Sequence, residues 1–308
     1  MQIRYKENTL FEGFKRDMQL VIHTGAHFTE EERLMKCLLR NKSAFSKQGI
    51  AVPGPGKYRR LLKQTLGALK NAHAAEGARD VLLDAIMDEE DADRLILSNA
   101  HFFGAPRAAV RGGIMYPSAP ERMMQIRNLF PNDEIEMFMA MRNPASLLPA
   151  MYEQSPRTSI SGYLGVSDPC NVRWSDTLHA IHNAVPDLSI TVWCSEDTPL
   201  IWAQIVREIA GLEFGQDVVG EFDLLREIMS DEGMKRFEAY LQSHPDMTEM
   251  QKRRVISAFL DKFALEEEIE EELDLAGWDD ELMDDMTDVY DEDMLEVQRI
   301  PGVTLIAP

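Results

Sequence analysis

The sequence predicts a soluble α/β protein whose mostly parallel sheet is flanked by helices. The first observation is that predicted strands alternate with predicted helices. Up to Thr198, short apolar runs are separated by segments in which apolar residues recur at helical spacing. The second is the first apolar run itself, which stops at Thr24 and Gly25 and leads directly into a helical segment. Because parallel strands need a crossover connection, usually a helix, this order favours a parallel sheet covered on both faces.

Apolar runs supply the predicted strands, at residues 18–23, 94–98, 135–141 and 188–194. Helices are predicted between them over residues 29–48, 61–87 and 119–130. Gly49 ends the first of these helices. The Pro and Gly residues between positions 53 and 56 predict a loop, since neither residue type readily continues a regular element.

After Thr198 the pattern becomes helical. Predicted helices cover residues 199–210, 222–229, 233–241 and 248–263, and residues 303–306 fit one further short strand. We therefore expect an α/β domain over residues 1–215 and a helical, acidic C-terminal region over residues 216–308 that packs on it.

The formal charge of −21 is concentrated near the C-terminus. Residues 264–296 contain 17 Asp and Glu with no Lys or Arg, which leaves −4 for the rest of the chain. This balance disfavours a nucleic-acid partner, because phosphate backbones are bound by clustered Lys and Arg. By composition the acidic segment fits disorder, yet Met286, Tyr290 and Met294 recur at helical spacing. Trp278 adds apolar surface, so we expect an ordered amphipathic helix.

The three cysteines, Cys37, Cys170 and Cys194, show neither disulfide nor metal-ligand spacing, which indicates a reducing compartment and no metal site. Residues 1–15 are charged throughout and lack the apolar centre of a signal peptide. No stretch approaches the roughly 20 apolar residues that a membrane span needs. We therefore expect a cytoplasmic protein with no membrane partner.

The loop over residues 23–29 lies between a predicted strand and a predicted helix start, where backbone N–H groups and the helix dipole favour an anion. Gly25 and Thr29 are its candidate cofactor-binding residues. The loop is not of the GxxxxGK[ST] type, because glutamates occupy positions 30–32. The alternative is internal capping, with Thr29 as the N-cap and Glu32 as its capping-box partner.

Arg142 follows the predicted strand 135–141, and Tyr152 lies further along the same segment. An Arg at the carboxyl end of a strand faces the crevice where open α/β sheets bind ligands, and its planar fork suits phosphate. The alternative is an ion pair with one of the many carboxylates. His27 and His101 are candidate catalytic residues, because a loop His acts as a general base near neutral pH. The alternative for each is a hydrogen-bonded loop histidine.

These segments, in this order, resemble the sulfotransferases that use 3'-phosphoadenosine 5'-phosphosulfate, in particular bacterial members of the carbohydrate type. The family's first loop has the form G-x-H-K-T-G-T-T, a later strand ends in S-S/N-E-x-F, and a third ends in R-N-P followed by a Ser. The corresponding segments here are Gly25–Glu32 (GAHFTEEE), Ser98–Phe102 (SNAHF) and Arg142–Pro144 (RNP). The resemblance covers about residues 20–198 and implies a P-loop-like fold.

The departures from the family pattern concern the donor site. The family's Lys, which neutralises the transferring sulfuryl group, corresponds to Phe28, and the Ser that helps hold the 3'-phosphate corresponds to Ala150. The family's Glu that is proposed as the catalytic base corresponds to Ala100, whereas the family's Arg is retained as Arg142. A carboxylate within a few Å of a phosphate repels it by about 1–4 kcal/mol at effective dielectric constants of about 80–20, so the glutamates at positions 30–32 oppose donor binding.

We therefore expect a sulfotransferase-like protein with a degenerate donor site and a non-catalytic binding or interaction role, whose partner is an unidentified small molecule or protein. One alternative is an active sulfotransferase that uses 3'-phosphoadenosine 5'-phosphosulfate and a hydroxyl acceptor such as a carbohydrate. In that case Arg142 would hold the 3'-phosphate, and His101 or His27 would act as the base. The other alternative is a protein-interaction module whose acidic tail recognises a basic partner.

Overall fold

The computed structural model describes residues 17–30, 32–89, 91–166, 168–269 and 275–308. Predictions that concern residues 1–16, Glu31, the side chain of Ile269 and residues 270–274 lie outside this part of the chain. Within the described ranges, none of the helices combines the length and the apolar character that crossing a bilayer requires.

The described strands are β1 (Gln19–His23), β2 (Ile50–Ala51), β3 (Arg94–Ser98), β4 (Val110–Arg111), β5 (Ile114–Met115), β6 (Glu134–Met141), β7 (Ser189–Cys194) and β8 (Val303–Ile306). They form a six-stranded sheet in the order β2-β3-β1-β6-β7-β8 and a separate ribbon of β4 and β5. All neighbours in the large sheet are parallel, which confirms the predicted α/β class and the predicted C-terminal strand. The two-residue strands were not predicted because they are too short to carry a periodicity.

Successive side chains of the central strands face two different cores. In β1, Leu20 and Ile22 belong to one buried cluster, and Val21 belongs to the other. The parallel neighbour β3 repeats this division with Leu95 and Ile96. Because side chains alternate across a strand, an uninterrupted apolar run is what a sheet covered by helices on both faces requires.

The described helices are α1 (Arg33–Ser46), α2 (Pro55–Ala68), α3 (Ala78–Ile86), α4 (Ala119–Leu129), α5 (Pro144–Glu153), α6 (Ile160–Leu164), α7 (Trp174–Ala184), α8 (Thr198–Ala210), α9 (Asp223–Ile228), α10 (Asp231–Ser243), α11 (Glu249–Phe263), α12 (Glu266–Ile269) and α13 (Asp280–Val297). The helices predicted after Thr198 are confirmed as α8, α9, α10 and α11 within a few residues at each end.

Two predictions about the chain between β2 and β3 were wrong. The segment predicted as one helix over residues 61–87 forms two, α2 and α3, and Gly77 adopts a left-handed φ of 77° immediately before α3. The helix α2 begins at Pro55, inside the predicted loop. Proline suits a first helical position because its φ is already close to the helical value and its missing N–H would have no partner there.

The helix α13 carries the acidic sequence and packs on the body through an apolar stripe. Met286, Tyr290 and Met294 are 2%, 5% and 7% exposed, and they belong to the larger of the two sheet cores. The helix contacts α5 and α7. The predicted amphipathic helix is thus present over residues 280–297, whereas the domain boundary between residues 215 and 216 stays a prediction.

Two buried polar contacts fasten this C-terminal segment. The Asp293 carboxylate accepts hydrogen bonds from the backbone N–H groups of Trp174 (2.7 Å) and Ser175 (3.1 Å), the first two residues of α7. These donors have no partner within their own helix, so a carboxylate from a distant helix caps α7. The indole N–H of Trp278 donates to the carbonyl oxygen of Ala145 over 2.7 Å.

Candidate functional site

The candidate site lies where the loops after β1, β3 and β6 meet at the carboxyl edge of the sheet. From β1 the chain continues to β2 and β3 on one side and then crosses to β6 on the other, so the strand order reverses between β1 and β6. Open α/β sheets bind ligands at such a reversal. The predicted loop after β1 and the predicted Arg142 after β6 flank this position.

The crevice between β1 and β6 is filled by the backbone of the loop itself. Beyond the end of β1, Thr24 N–H donates to Phe138 O over 3.0 Å and Ala26 N–H donates to Ala140 O over 3.0 Å. In return, Ala140 N–H donates to Gly25 O over 2.7 Å. Amide groups that a phosphate would use are therefore already bonded to the neighbouring strand.

Arg142 holds this loop in place. Its Nη1 donates to the carbonyl oxygen of Phe28 over 2.7 Å, and its Nε donates to Ser146 Oγ over 2.9 Å. The residue is 9% exposed. Arg142, which was predicted to bind a phosphate, therefore donates at least two hydrogen bonds to the protein itself. One of them goes to the loop after β1, where the phosphate was expected.

The predicted capping box at Thr29 and Glu32 is wrong. The helix α1 begins at Arg33, and Glu32 precedes it in a left-handed conformation with φ 68° and without a side-chain cap. Thr29 Oγ1 instead donates to Ala26 O over 2.9 Å, and Glu32 accepts from Arg59 Nη2 over 2.8 Å. The left-handed conformation of Glu32 thus places the helix start after the residues that the spacing had placed in its first turn.

Glu30 takes over the capping role. One carboxylate oxygen accepts from Leu34 N–H over 3.3 Å in the first turn of α1. The other lies 3.0 Å from His23 Nε2, in a geometry poor for a hydrogen bond, while His23 Nδ1 contacts Ser98 Oγ at 2.9 Å. Glu30 is 7% exposed and His23 is fully buried, so a carboxylate of the chain itself occupies the helix N-terminus where an external anion would bind.

Gly25 is required for close packing of the loop. It has φ 98°, and a Cβ at this position would lie 3.1 Å from the Cα of Ala100, which follows β3. Tyr152 lies half-buried on α5, where its ring contacts that of Tyr163 in a tilted arrangement with 6.2 Å between the centroids. The structure therefore gives Gly25 a steric role and Tyr152 a packing role.

The two candidate catalytic histidines contact each other. His27 Nε2 lies 3.1 Å from His101 Nδ1 and 3.1 Å from Gly104 O, and His27 Nδ1 lies 2.8 Å from the hydroxyl of Tyr116. That hydroxyl also accepts from His27 backbone N–H over 3.1 Å. Burial, together with the neighbouring His101, lowers the pKa of His27 to about 4, so His27 is neutral near pH 7.

These contacts define which ring nitrogens carry protons. Because Gly104 O can only accept, we assign the His27 proton to Nε2, so that Nδ1 accepts from the Tyr116 hydroxyl. His101 Nδ1 then faces an N–H donor, so we assign it as the unprotonated nitrogen of its ring. In this assignment the ring proton of His101 resides on Nε2, which presents a hydrogen-bond donor to the exposed side of the ring.

A cleft beside the histidines was missed by the sequence-based prediction. It has a volume of about 470 Å³ and lies between α2, α4 and the loop after β3. Arg59, Arg60, Lys63 and Arg122 contribute cationic side chains to its lining. The signal was present in the sequence, since Arg59, Leu62, Lys63 and Leu66 recur at helical spacing. The helix predicted from residue 61 includes Leu62, Lys63 and Leu66 but not Arg59, because α2 begins earlier, at Pro55.

Comparison with known proteins adds no relative. No protein-family model matches this chain, and no curated protein matches it. The interpretation of the site therefore rests on its own geometry.

Proposed function

We propose that the chain is a sulfotransferase-like protein whose donor site is closed and that it acts by binding a partner, not by transferring a sulfuryl group. The observation that carries this proposal is the hydrogen bond from Arg142 Nη1 to Phe28 O. The family resemblance assigns Arg142 to the 3'-phosphate and the loop after β1 to the sulfuryl group. Here Arg142 instead donates a hydrogen bond to that loop.

The surroundings of the loop support the same conclusion. Thr24 and Ala26 use their backbone amides on β6, and His27 uses its amide on Tyr116. The side chain of Glu30 occupies the N-terminus of α1, where its charge would repel a donor phosphate. Phe28, at the position of the family's Lys, packs partly buried against the apolar core and offers no cation.

The histidines argue against the rival hypothesis of an active enzyme. A general base needs an unprotonated nitrogen within reach of the acceptor hydroxyl. Both ring nitrogens of His27 are already in hydrogen bonds, and the assigned tautomer of His101 carries its proton on Nε2. This pair is suited to donating a hydrogen bond to a ligand.

Isothermal titration of the full chain with 3'-phosphoadenosine 5'-phosphate tests the proposal. We expect no binding in the low micromolar range that depends on Arg142. A dissociation constant in that range that is lost in Arg142→Ala and retained in Arg157→Ala would overturn the proposal, because it would show an open donor site that uses Arg142. Arg157 is an exposed loop arginine and controls for the loss of one positive charge.

A further inference from the structure

The cleft beside the histidines has the size and the position of a ligand site. Its volume of about 470 Å³ falls within the roughly 300–1,000 Å³ of small-molecule sites. It opens next to the carboxyl end of β3, where open α/β sheets place their ligands. The described lining residues are Arg59, Arg60, Leu62, Lys63, Leu66, Asn99, His101, Phe102, Gly104, Ala105 and Arg122.

The lining is positively charged in a chain whose formal charge is −21. Arg59 pairs with Glu32. Among the described residues, Arg122 hydrogen-bonds to the neutral amide oxygen of Gln125 at 3.1 Å and forms no ion pair. In the part of the chain that the structure describes, neither Arg60 nor Lys63 reaches a carboxylate, and both are exposed. The described lining residues include no Asp or Glu, so the positive potential of the cleft is not cancelled locally.

The floor of the cleft is apolar. Leu62, Leu66 and Phe102 are 3%, 2% and 7% exposed and belong to the core, so they present small, rigid patches of hydrocarbon. On α2, Leu62 and Leu66 stand one turn apart, and Lys63 follows on the same side of the helix. A ligand that touches this face meets hydrocarbon at its base and cations at its rim.

Hydrogen-bond donors stand at the end of the cleft nearest β3. The proton assigned to His101 Nε2 makes that ring a donor, because Nδ1 is occupied by His27. Asn99 Oδ1 accepts from the His101 backbone N–H over 3.0 Å, which leaves the Asn99 NH₂ group as a second donor. Neutral donors and uncompensated cations therefore line the same cavity, and both favour an oxyanion.

We propose that this cleft binds a small organic phosphate monoester, a dianion with an apolar body. The uncompensated cations Arg60, Lys63 and Arg122 match a doubly charged group better than a single carboxylate, and the arginine fork pairs with phosphate oxygens. The apolar body covers Leu62, Leu66 and Phe102. The site goes beyond the proposed binding role, because it uses α2, α4 and the loop after β3. It does not require the loop after β1, which we call the donor loop.

Isothermal titration of the full chain with 1-naphthyl phosphate tests the ligand class. We expect saturable binding of one equivalent, about tenfold or more tighter than that of 1-naphthol or of inorganic phosphate. The two weaker probes separate the contributions, since 1-naphthol offers only the apolar body and inorganic phosphate only the charge. Equal affinity for 1-naphthol and 1-naphthyl phosphate would overturn the proposal, because the cations would then contribute nothing.

A charge-reversal pair tests the location. The double variant Arg60→Glu/Lys63→Glu should weaken 1-naphthyl phosphate binding about tenfold or more. The matched control, Lys47→Glu/Lys235→Glu, changes the net charge equally at exposed positions outside the cleft and should leave the affinity within about twofold. Similar losses in both double variants, or none in either, would place the ligand elsewhere and overturn the proposal.

The role of His101 has its own test. His101→Ala should weaken binding several-fold, and His101→Gln, which keeps a side-chain N–H donor, should recover most of it. Arg142→Ala tests whether the probe binds in the cleft or at the donor loop. If it binds in the cleft, this substitution should leave the affinity for 1-naphthyl phosphate unchanged. Loss of that binding in Arg142→Ala would mean that the probe occupies the donor loop, which would overturn both proposals. Binding of 3'-phosphoadenosine 5'-phosphate that depends on Arg142 alone would overturn only the closed donor site.

Discussion

Arg142 and Phe28 are joined by a 2.7 Å hydrogen bond from the guanidinium Nη1 to the backbone carbonyl oxygen, across 114 positions of sequence. The bond ties the end of β6 to the loop after β1, at the place where the strand order of the sheet reverses. Arg142 therefore stabilises the fold by joining two segments that are distant in sequence.

Arg142→Ala should lower the free energy of unfolding by about 1.5–3 kcal/mol, because hydrogen bonds from a charged donor are lost and Phe28 O is left without this partner. The shift of the urea midpoint measures this loss. Arg157→Ala, at an exposed loop position, should change stability by no more than about 0.5 kcal/mol. Equal effects of the two substitutions would show that Arg142 contributes only surface charge.

Asp293→Ala should be one of the more destabilising changes in α13, at about 3 kcal/mol. The carboxylate is 1% exposed, and its removal strands the amides of Trp174 and Ser175 at the start of α7. Asp293→Asn should cost less, about 1 kcal/mol, because an amide oxygen still caps a helix. Asp291→Ala, an exposed neighbour, is the control, and chemical denaturation should show it to be close to neutral. A neutral Asp293→Ala would mean that α13 is not fastened through this carboxylate.

His27 should make the protein less stable as the pH falls from about 7 to about 5. Its pKa is lowered to about 4 in the folded state, against about 6.5 in the unfolded chain. Between these values only the unfolded chain takes up the proton, so its share of the stability is present above about pH 6.5 and is lost on acidification. By pH 5 the loss amounts to about 2 kcal/mol. Urea denaturation at each pH measures it.

His27→Gln removes this titration and should flatten the difference between the two pH values, whereas His73→Gln, at an exposed position, should leave the wild-type profile unchanged. If His27→Gln follows the wild-type profile, the acid sensitivity resides in other groups and the lowered pKa of His27 is wrong.

The acidic residues on the exposed face of α13 should make the stability of the protein depend on the charge of this face and on the salt concentration. Asp280, Asp284, Asp288, Glu292 and Glu296 stand at successive i, i+4 positions and are all exposed, so neighbouring carboxylates repel one another. Asp288→Lys replaces two repulsive pairs by two attractive ones and should stabilise the protein by about 1 kcal/mol at low salt. The gain should shrink at about 0.5 M salt, because exposed charges are screened there. Asp288→Asn, which only removes the repulsion, should give about half the effect, and a gain that is independent of salt would exclude an electrostatic cause.

Much of the fold follows from local sequence. The apolar runs that became β1, β3, β6 and β7 predict buried strands, because a strand covered on both faces needs apolar residues at every position. The stripe of Met286, Tyr290 and Met294 similarly predicts α13, since helical periodicity is visible within a short window. The resemblance to sulfotransferases and the division at residue 215 stay predictions.

Tertiary structure decided which contacts the candidate site residues make. Whether Arg142 faces a ligand or Phe28 depends on the packing of β6 against the loop after β1, which no local pattern encodes. The left-handed conformation of Glu32 moved the start of α1 and gave the capping role to Glu30. The contact between His27 and His101 joins residues that are 74 positions apart. The periodicity of the sequence determined which residues are buried, and only the folded chain determined the partners of their polar atoms, because those partners come from distant segments.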